Sequence, residues 1–213
     1  MKTVLCYGDS NTWGCPPVTS LRNIPRYGAD LRWGSVMHSM LGSDYSVVEE
    51  GLGGRTTIWA DPVEGEYKSG KMYLYACLES HYPIDLVCLM LGTNDLKHRF
   101  GLSAWDIAAS AGTLVDIILG STFAPGQAAP KVLLMCPPPV GKLTLFAGMF
   151  EGALEKSQQL ATYYREVAQD RGCEFFNAGD VIVSSDVDGI HFDAGEQQKL
   201  GRAVAARVKE ILG

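Results

Sequence analysis

One serine, one histidine and a few carboxylate and carboxamide side chains stand in this chain where their types and spacing suit acyl-group chemistry. The first group is Gly8-Asp9-Ser10-Asn11-Thr12-Trp13-Gly14, directly after a short apolar run. A serine where a buried strand turns into the next segment presents its hydroxyl at the mouth of a sheet. If a helix begins there, the serine N–H also points into that space, where the helix dipole favours negative charge. The plainer reading of the same residues is an Asp/Ser turn with an N-cap. The phosphate-loop pattern G-x-x-x-x-G-K-[ST] is missing and no G-x-G-x-x-G follows the strand, so neither a phosphate loop nor a dinucleotide site is supported.

Three further groups follow. Glu49-Glu50-Gly51-Leu52-Gly53-Gly54-Arg55-Thr56-Thr57 has three glycines in four residues, which lets backbone approach a ligand closely or simply makes a tight turn. In Leu91-Gly92-Thr93-Asn94-Asp95, the Asn94 amide can aim an N–H at a developing oxyanion or can start an Asx-turn. In Asp188-Gly189-Ile190-His191, an aspartate three residues before a histidine can accept from the imidazole, fix its tautomer and leave the other nitrogen as a base. Surface turns also produce such pairs. Taken together, the four groups supply a nucleophile, a base, an orienting carboxylate and oxyanion donors, in the chain order Ser, Asp, His. The other histidines, His38, His81 and His98, read as structural or solvated.

The elements that must position these groups are visible in the hydropathy pattern. Apolar runs of strand length cover Thr3–Tyr7, Tyr45–Val48, Asp85–Leu91, Lys131–Cys136 and, more weakly, Cys173–Phe176. The third and fourth lack alternation, as expected of strands buried on both faces. Helical spacing recurs at Ile107, Ala111, Leu114, Val115 and Ile118, at Leu160, Tyr163, Tyr164, Val167 and Ala168, and at Leu200, Ala203, Val204, Val208 and Ile211. Ser103-x-x-Asp106 resembles a capping box for the first stripe, and Asp193-x-x-Glu196 opens the last. Trp33–Leu41 and Lys71–His81 are weaker helices. The alternation predicts an α/β/α domain on a five-stranded parallel sheet, with its site beyond the carboxyl ends of the strands. Three long connections, about 13–32, 52–70 and 137–150, are candidate binding loops.

Composition narrows the functional classes. The chain has 213 residues, 46% of them hydrophobic, a length that predicts a single domain over 1–213 able to bury a core without staples. A net charge of −6 with no Lys/Arg cluster disfavours nucleic acid and anionic membranes as partners. No apolar run approaches a membrane span, and the N-terminus lacks a signal-peptide pattern, so the expected location is cytoplasmic. The six cysteines are scattered without C-x-x-C, which argues against a disulfide framework and a zinc site.

The four groups, in this order, resemble the SGNH/GDSL hydrolase superfamily over nearly the whole chain. Trp13-Gly14, Glu50-Gly51-Leu52 running into Arg55-Thr56-Thr57, Pro137-Pro138-Pro139 and Val187-Asp188-Gly189-Ile190-His191-Phe192 are similar to its bacterial arylesterase/acyltransferase branch. The resemblance implies a flavodoxin-like fold and a serine esterase of short-chain acyl esters, with Ser10, Asp188 and His191 catalytic. It also implies an oxyanion hole from the N–H groups of Ser10 and Gly54 and the amide of Asn94. Neither a metal nor an organic cofactor is required. Some members transfer the acyl group to alcohols or peroxide, and some form octamers, so a homo-oligomer is expected here. Asn11 stands where the branch usually has Leu, and Gly53 where Ser is frequent. Asn11, Trp13, Ile190 and Phe192 are the expected substrate contacts, and the apolar stretch from Leu143 to Phe150 is expected to roof the pocket or meet a partner subunit. Three alternatives stay open: a carbohydrate O-deacetylase or lysophospholipase/thioesterase, a metal-dependent phosphoesterase built from Asp9, Asn94, Asp95 and His98, and a non-catalytic flavodoxin-like module.

Overall fold

A computed structural model describes all 213 residues. Five parallel strands, β1 (Lys2–Gly8), β2 (Tyr45–Gly51), β3 (Leu86–Met90), β4 (Lys131–Cys136) and β5 (Glu174–Asn177), form one sheet in the order β2-β1-β3-β4-β5. This is the flavodoxin-like order, whose reversal of direction between β1 and β3 opens a crevice at the carboxyl ends of those strands. The helices are α1 (Ser10–Trp13), α2 (Trp33–Leu41), α3 (Gly70–Ser80), α4 (Ala104–Leu119), α5 (Ala153–Arg171) and α6 (Ala194–Leu212). None is long and apolar enough to cross a membrane.

Alternating side chains of the buried strands feed two cores. Leu5, Tyr7, Val87, Leu89, Val132 and Leu134 point to one face, where they meet Leu74 of α3, Ile107 and Leu114 of α4, and Leu160 and Tyr164 of α5. Val4, Cys6, Leu86, Cys88, Leu133 and Met135 point to the other and meet Trp33 and Met37 of α2 and Leu200 and Val204 of α6. Burial on both faces is why these runs lack alternation. All six cysteines are unpaired, and five are buried as small hydrophobes.

Some boundaries differ from the sequence expectation, for physical reasons. β2 continues through Glu49 and Glu50 to Gly51, because an edge strand tolerates charge where partners exist. Arg32 bonds Glu49 at 2.8 Å and His81 bonds Glu50 at 2.9 Å. α5 starts at Ala153, two turns before its apolar stripe, since only Ala153 and Ser157 of those turns face inward. Ser103 and Asp106 do form a reciprocal capping box. Asp193 and Glu196 do not: Asp193 makes no side-chain cap, and Glu196 instead accepts from the Val183 N–H at 3.1 Å and from Lys199.

Candidate active site

β1 delivers Ser10 to the crevice. Asp9 caps α1 by accepting the Asn11 N–H at 2.9 Å, so Ser10 becomes the first helical residue. The turn lies hard against β2: a Cβ on Gly51 would collide with the backbone of Trp13. Gln197 of α6 fastens it from the other side, donating to the Asn11 carbonyl while accepting the Trp33 N–H, both at 3.0 Å.

The loop before α6 brings the candidate base, His191. Asp188 folds an Asx-turn in which Oδ1 accepts the N–H groups of Ile190 and His191, both at 2.9 Å. Its Oδ2 accepts the Val18 N–H at 2.8 Å and lies 2.7 Å from His191 Nδ1. His191 Nε2 is 3.0 Å from Ser10 Oγ. Burial alone would lower the imidazole, but the bond to Asp188 and the neighbouring Cys15 thiol outweigh it and hold His191 above the ordinary histidine value. Burial would likewise raise Asp188, yet the His191 bond and charge and two backbone N–H groups hold it below the usual carboxylate range. With Nδ1–H donated to Asp188, Nε2 is left to take a proton from the serine.

Candidate donors for an oxyanion come from three strand ends. The N–H groups of Ser10 and Gly54 find no acceptor within the chain. Gly54 has φ +78°, the left-handed region that favours glycine and turns the backbone toward the crevice. The Asn94 amide donates to the Arg55 carbonyl at 3.1 Å and lies 3.5 Å from Asp9 Oδ2. These two acceptors fix Nδ2, not Oδ1, on the side of Arg55 and Asp9, and Asn94 lines the cavity. Burial pushes the Asp9 carboxyl up to about 6 despite the Asn11 bond and the charge of His191. Below Asn94, the fully buried Asp95 is held by the hydroxyl and N–H of Thr57.

Ser10, Gly54, Asn94 and His191 open onto one cavity of about 530 Å³. All three long connections line it: Cys15, Val18, Leu21 and Ile24 from the first, Leu52, Gly53, Glu64 and Lys68 from the second, and Phe146, Met149 and Phe150 from the third. Phe146 packs edge-on to the His191 ring. Of the expected substrate contacts, Trp13 and Ile190 line the cavity. The structure places Asn11 and Phe192 elsewhere. Asn11 is buried, with Nδ2 on the Ile190 carbonyl at 3.3 Å and Oδ1 without a partner, and Phe192 belongs to the α2/α6 core. A wider depression of about 900 Å³, lined by Pro139, Val140, Ser184, Ser185 and Val187 among others, does not include Ser10 or His191.

The four residues of the phosphoesterase alternative do not form a ligand set, because Asp9 and Asp95 spend their oxygens on backbone and side-chain donors and His98 faces outward. Glu50, Cys77 and His81 do place one donor atom each within 4.8 Å of one another, outside the cavity. There, burial pushes the Cys77 thiol up to about 12. Several residues at the site carried no motif. Glu64, Lys68 and Lys97 lie in irregular segments and short turns with unremarkable spacing, and Val18 gives its N–H to Asp188 besides lining the cavity. The loop that carries Glu64 and Lys68 also holds Arg55, Asp61 and Glu66, so no signal in its sequence singles them out.

Comparisons with known proteins agree with this geometry. The model of the GDSL-like Lipase/Acylhydrolase family matches residues 6–197. The native M. smegmatis aryl esterase superposes with a TM-score of 0.96 at 42% identity, covering 100% of both chains. Est24, a carbohydrate acetylesterase from Sinorhizobium meliloti, gives 0.95 at 42% identity, again over 100% of both. A lipase/acylhydrolase from Enterococcus faecalis shares the fold, with a TM-score of 0.65 at 18% identity over 99% of this chain and 96% of its own. No curated protein matches the sequence. With four motif groups converging on one crevice of a flavodoxin-like sheet, the chain belongs to the GDSL-like lipase/acylhydrolase family, the SGNH hydrolases, and is a carboxylic ester hydrolase.

Proposed function

We propose that the protein hydrolyses short-chain acyl esters of aryl or alkyl alcohols through an acyl-enzyme on Ser10. The observation that carries this reading is the unbroken Ser10–His191–Asp188 relay opening onto a cavity with one apolar wall and unpaired N–H donors. Ser10 Oγ attacks the ester carbonyl as His191 Nε2 takes its proton, and Asp188 steadies the imidazolium. The tetrahedral oxyanion is held by the N–H groups of Ser10 and Gly54 and the Asn94 amide; each such donor contributes on the order of 3 kcal/mol to lowering the barrier. His191 then returns the proton to the leaving alcohol, and water, or a competing alcohol or peroxide, takes the acyl group. The carbohydrate acetylesterase Est24 supports an ester of a small acid, and the M. smegmatis aryl esterase supports an aryl ester. Buried Phe146 and Phe150 close the roof and favour acetate over long chains.

A panel of p-nitrophenyl esters from acetate to decanoate tests the reading, with Ser10→Ala as control. The expected result is fastest turnover of the shortest esters and a loss of at least about 10³-fold in kcat for Ser10→Ala. A variant that keeps its activity, or a wild type silenced by chelator, overturns the serine mechanism. Preference for decanoate overturns the short-acyl claim and favours the lysophospholipase/thioesterase alternative. The reading extends to a homo-oligomer: the segment Lys142–Leu145 is tied to Asp186 and Val187, and it leaves Leu145, Val183 and Val187 exposed. Light scattering that finds a monomer removes that part.

A further inference from the structure

Glu64 is the acidic side chain that lines the cavity, and its two oxygens are treated differently. Oε1 is fixed by Lys97 Nζ at 2.5 Å and lies 3.6 Å from Arg99 Nη2. Oε2 accepts from no group of the protein, and it lies so close above Gly54 that a Cβ there would collide with it. A negative charge beside an oxyanion donor opposes the reaction unless it is balanced. Here it is balanced, because Asp61 and Glu64 face Lys97 and Arg99 in one charge-neutral group. The other charged lining group on this wall, Lys68, is spent on the Gly53 carbonyl at 2.6 Å. A carboxyl oxygen with no partner in the protein, beside the Gly54 turn and on a group whose other oxygen is ion-paired, matches a hydrogen-bond donor on the ligand.

Building on the serine-esterase reading, we infer that Glu64 is a specificity-determining residue that binds a hydroxyl on the alcohol half of the substrate, next to the ester oxygen. The preferred substrate is then a partly acylated polyol, in which a neighbouring hydroxyl oxygen lies three bonds from the ester oxygen and four from the scissile carbonyl carbon. The placement favours the alcohol half. Glu64 has 29% of its side chain exposed and so sits at the rim, where the larger and wetter half of a short-acyl ester extends. The dry end of the cavity, at Phe146, Phe150 and Ile190, holds no such acceptor.

The test compares glycerol monoacetate with propyl acetate, of similar size but without the hydroxyls, in wild type and Glu64→Gln. In the variant Lys97 selects the amide carbonyl, so the NH2 group faces the ligand and an acceptor becomes a donor. The expected kcat/KM ratio in wild type is about tenfold in favour of the monoacetate, and it collapses toward one in Glu64→Gln. A wild-type ratio near one overturns the inference without recourse to any variant, so a misfolded Glu64→Gln does not shelter it. A parallel fall for both esters at constant ratio also overturns it, since that is what loss of the Lys97 contact alone would cause. Ethyl glycolate against ethyl acetate places the hydroxyl on the acyl half instead; a Glu64-dependent preference there overturns the polyol assignment. Ser10→Ala separates the two levels. If it hydrolyses both esters normally, the serine-esterase reading falls; if it is inactive while the ratio stays near one, only the role of Glu64 falls.

Discussion

Asp188 and Asp61 are built alike and do different things. Each is fully buried, each folds an Asx-turn, and each uses Oδ1 to accept the N–H groups two and three residues on. For Asp188 these are Ile190 and His191, and for Asp61 they are Val63 and Glu64. In both, burial pushes the carboxyl up and its hydrogen bonds and a neighbouring cation more than reverse it, Asp61 reaching about 2. The difference is the cation. Asp188 faces an imidazole that can take up and hand on a proton, whereas Asp61 faces Lys97 and Arg99 in fixed ion pairs. One turn therefore yields a proton relay and the other a fixed strut under Glu64, so the chemistry lies in the partner and not in the carboxylate.

Removing each aspartate should separate relay from strut. Asp188→Asn is expected to have the larger effect, a loss of about 10³- to 10⁴-fold in kcat with the fold retained, by analogy with the serine-protease triad. Its pH dependence has a definite sign. In the proposed mechanism neutral His191 is the base, so kcat/KM rises with pH through an imidazole value held above 6.5. Without Asp188 the raising bond and charge are lost and the burial that lowers it stays, so the acid limb moves to lower pH. A limb that stays in place or moves up would contradict the assignment of Asp188 as the raising group.

Asp61→Asn should act on stability instead. It leaves two cations facing Glu64 alone, and breaking a buried pair from one side costs about 3 kcal/mol, to be read from urea unfolding. A lowered carboxyl stabilises the fold above its unfolded value of about 3.8 and loses that contribution as pH falls toward 2. The variant should therefore be less acid-sensitive between those values, while the acid limb of its activity stays where the wild type has it. A shifted limb would mean the strut titrates with the relay.

The smallest effect is expected at Asn11→Leu. Asn11 buries an unpartnered Oδ1 while its Nδ2 holds the Ile190 carbonyl, so the substitution removes one orphan and creates another. Unfolding free energy should change by less than about 1 kcal/mol. A loss of several would show that the Ile190 bond anchors the histidine loop.

The relay was legible in the sequence and the strut was not. Ser10, Asn94, Asp188 and His191 stand at strand ends or just before a helix, where chemistry restricts the residue type, and the apolar runs locate those ends. Asp61, Glu64, Lys97 and Arg99 come from two irregular loops, and nothing in their spacing says that a 36-residue gap closes to a 3.3 Å contact. Asn11 shows a different limit. Adjacent to the nucleophile, it reads as a substrate contact, but the first turn of α1 points its side chain under the histidine loop. Phe192 is misread for the same reason: one residue past His191, it faces the opposite core.

Ser10 and His191 are 181 residues apart, and Gln197, beyond both, pins the serine turn in place. During synthesis from the N-terminus, the serine leaves the ribosome with the first strand, whereas its proposed base follows 181 residues later and the clamp later still. A nascent or C-terminally truncated chain thus carries a bare, unactivated hydroxyl. Esterase activity is therefore a readout of a chain synthesised at least through Gln197, and a fusion that reports on it reports on the joining of the serine turn to the histidine loop.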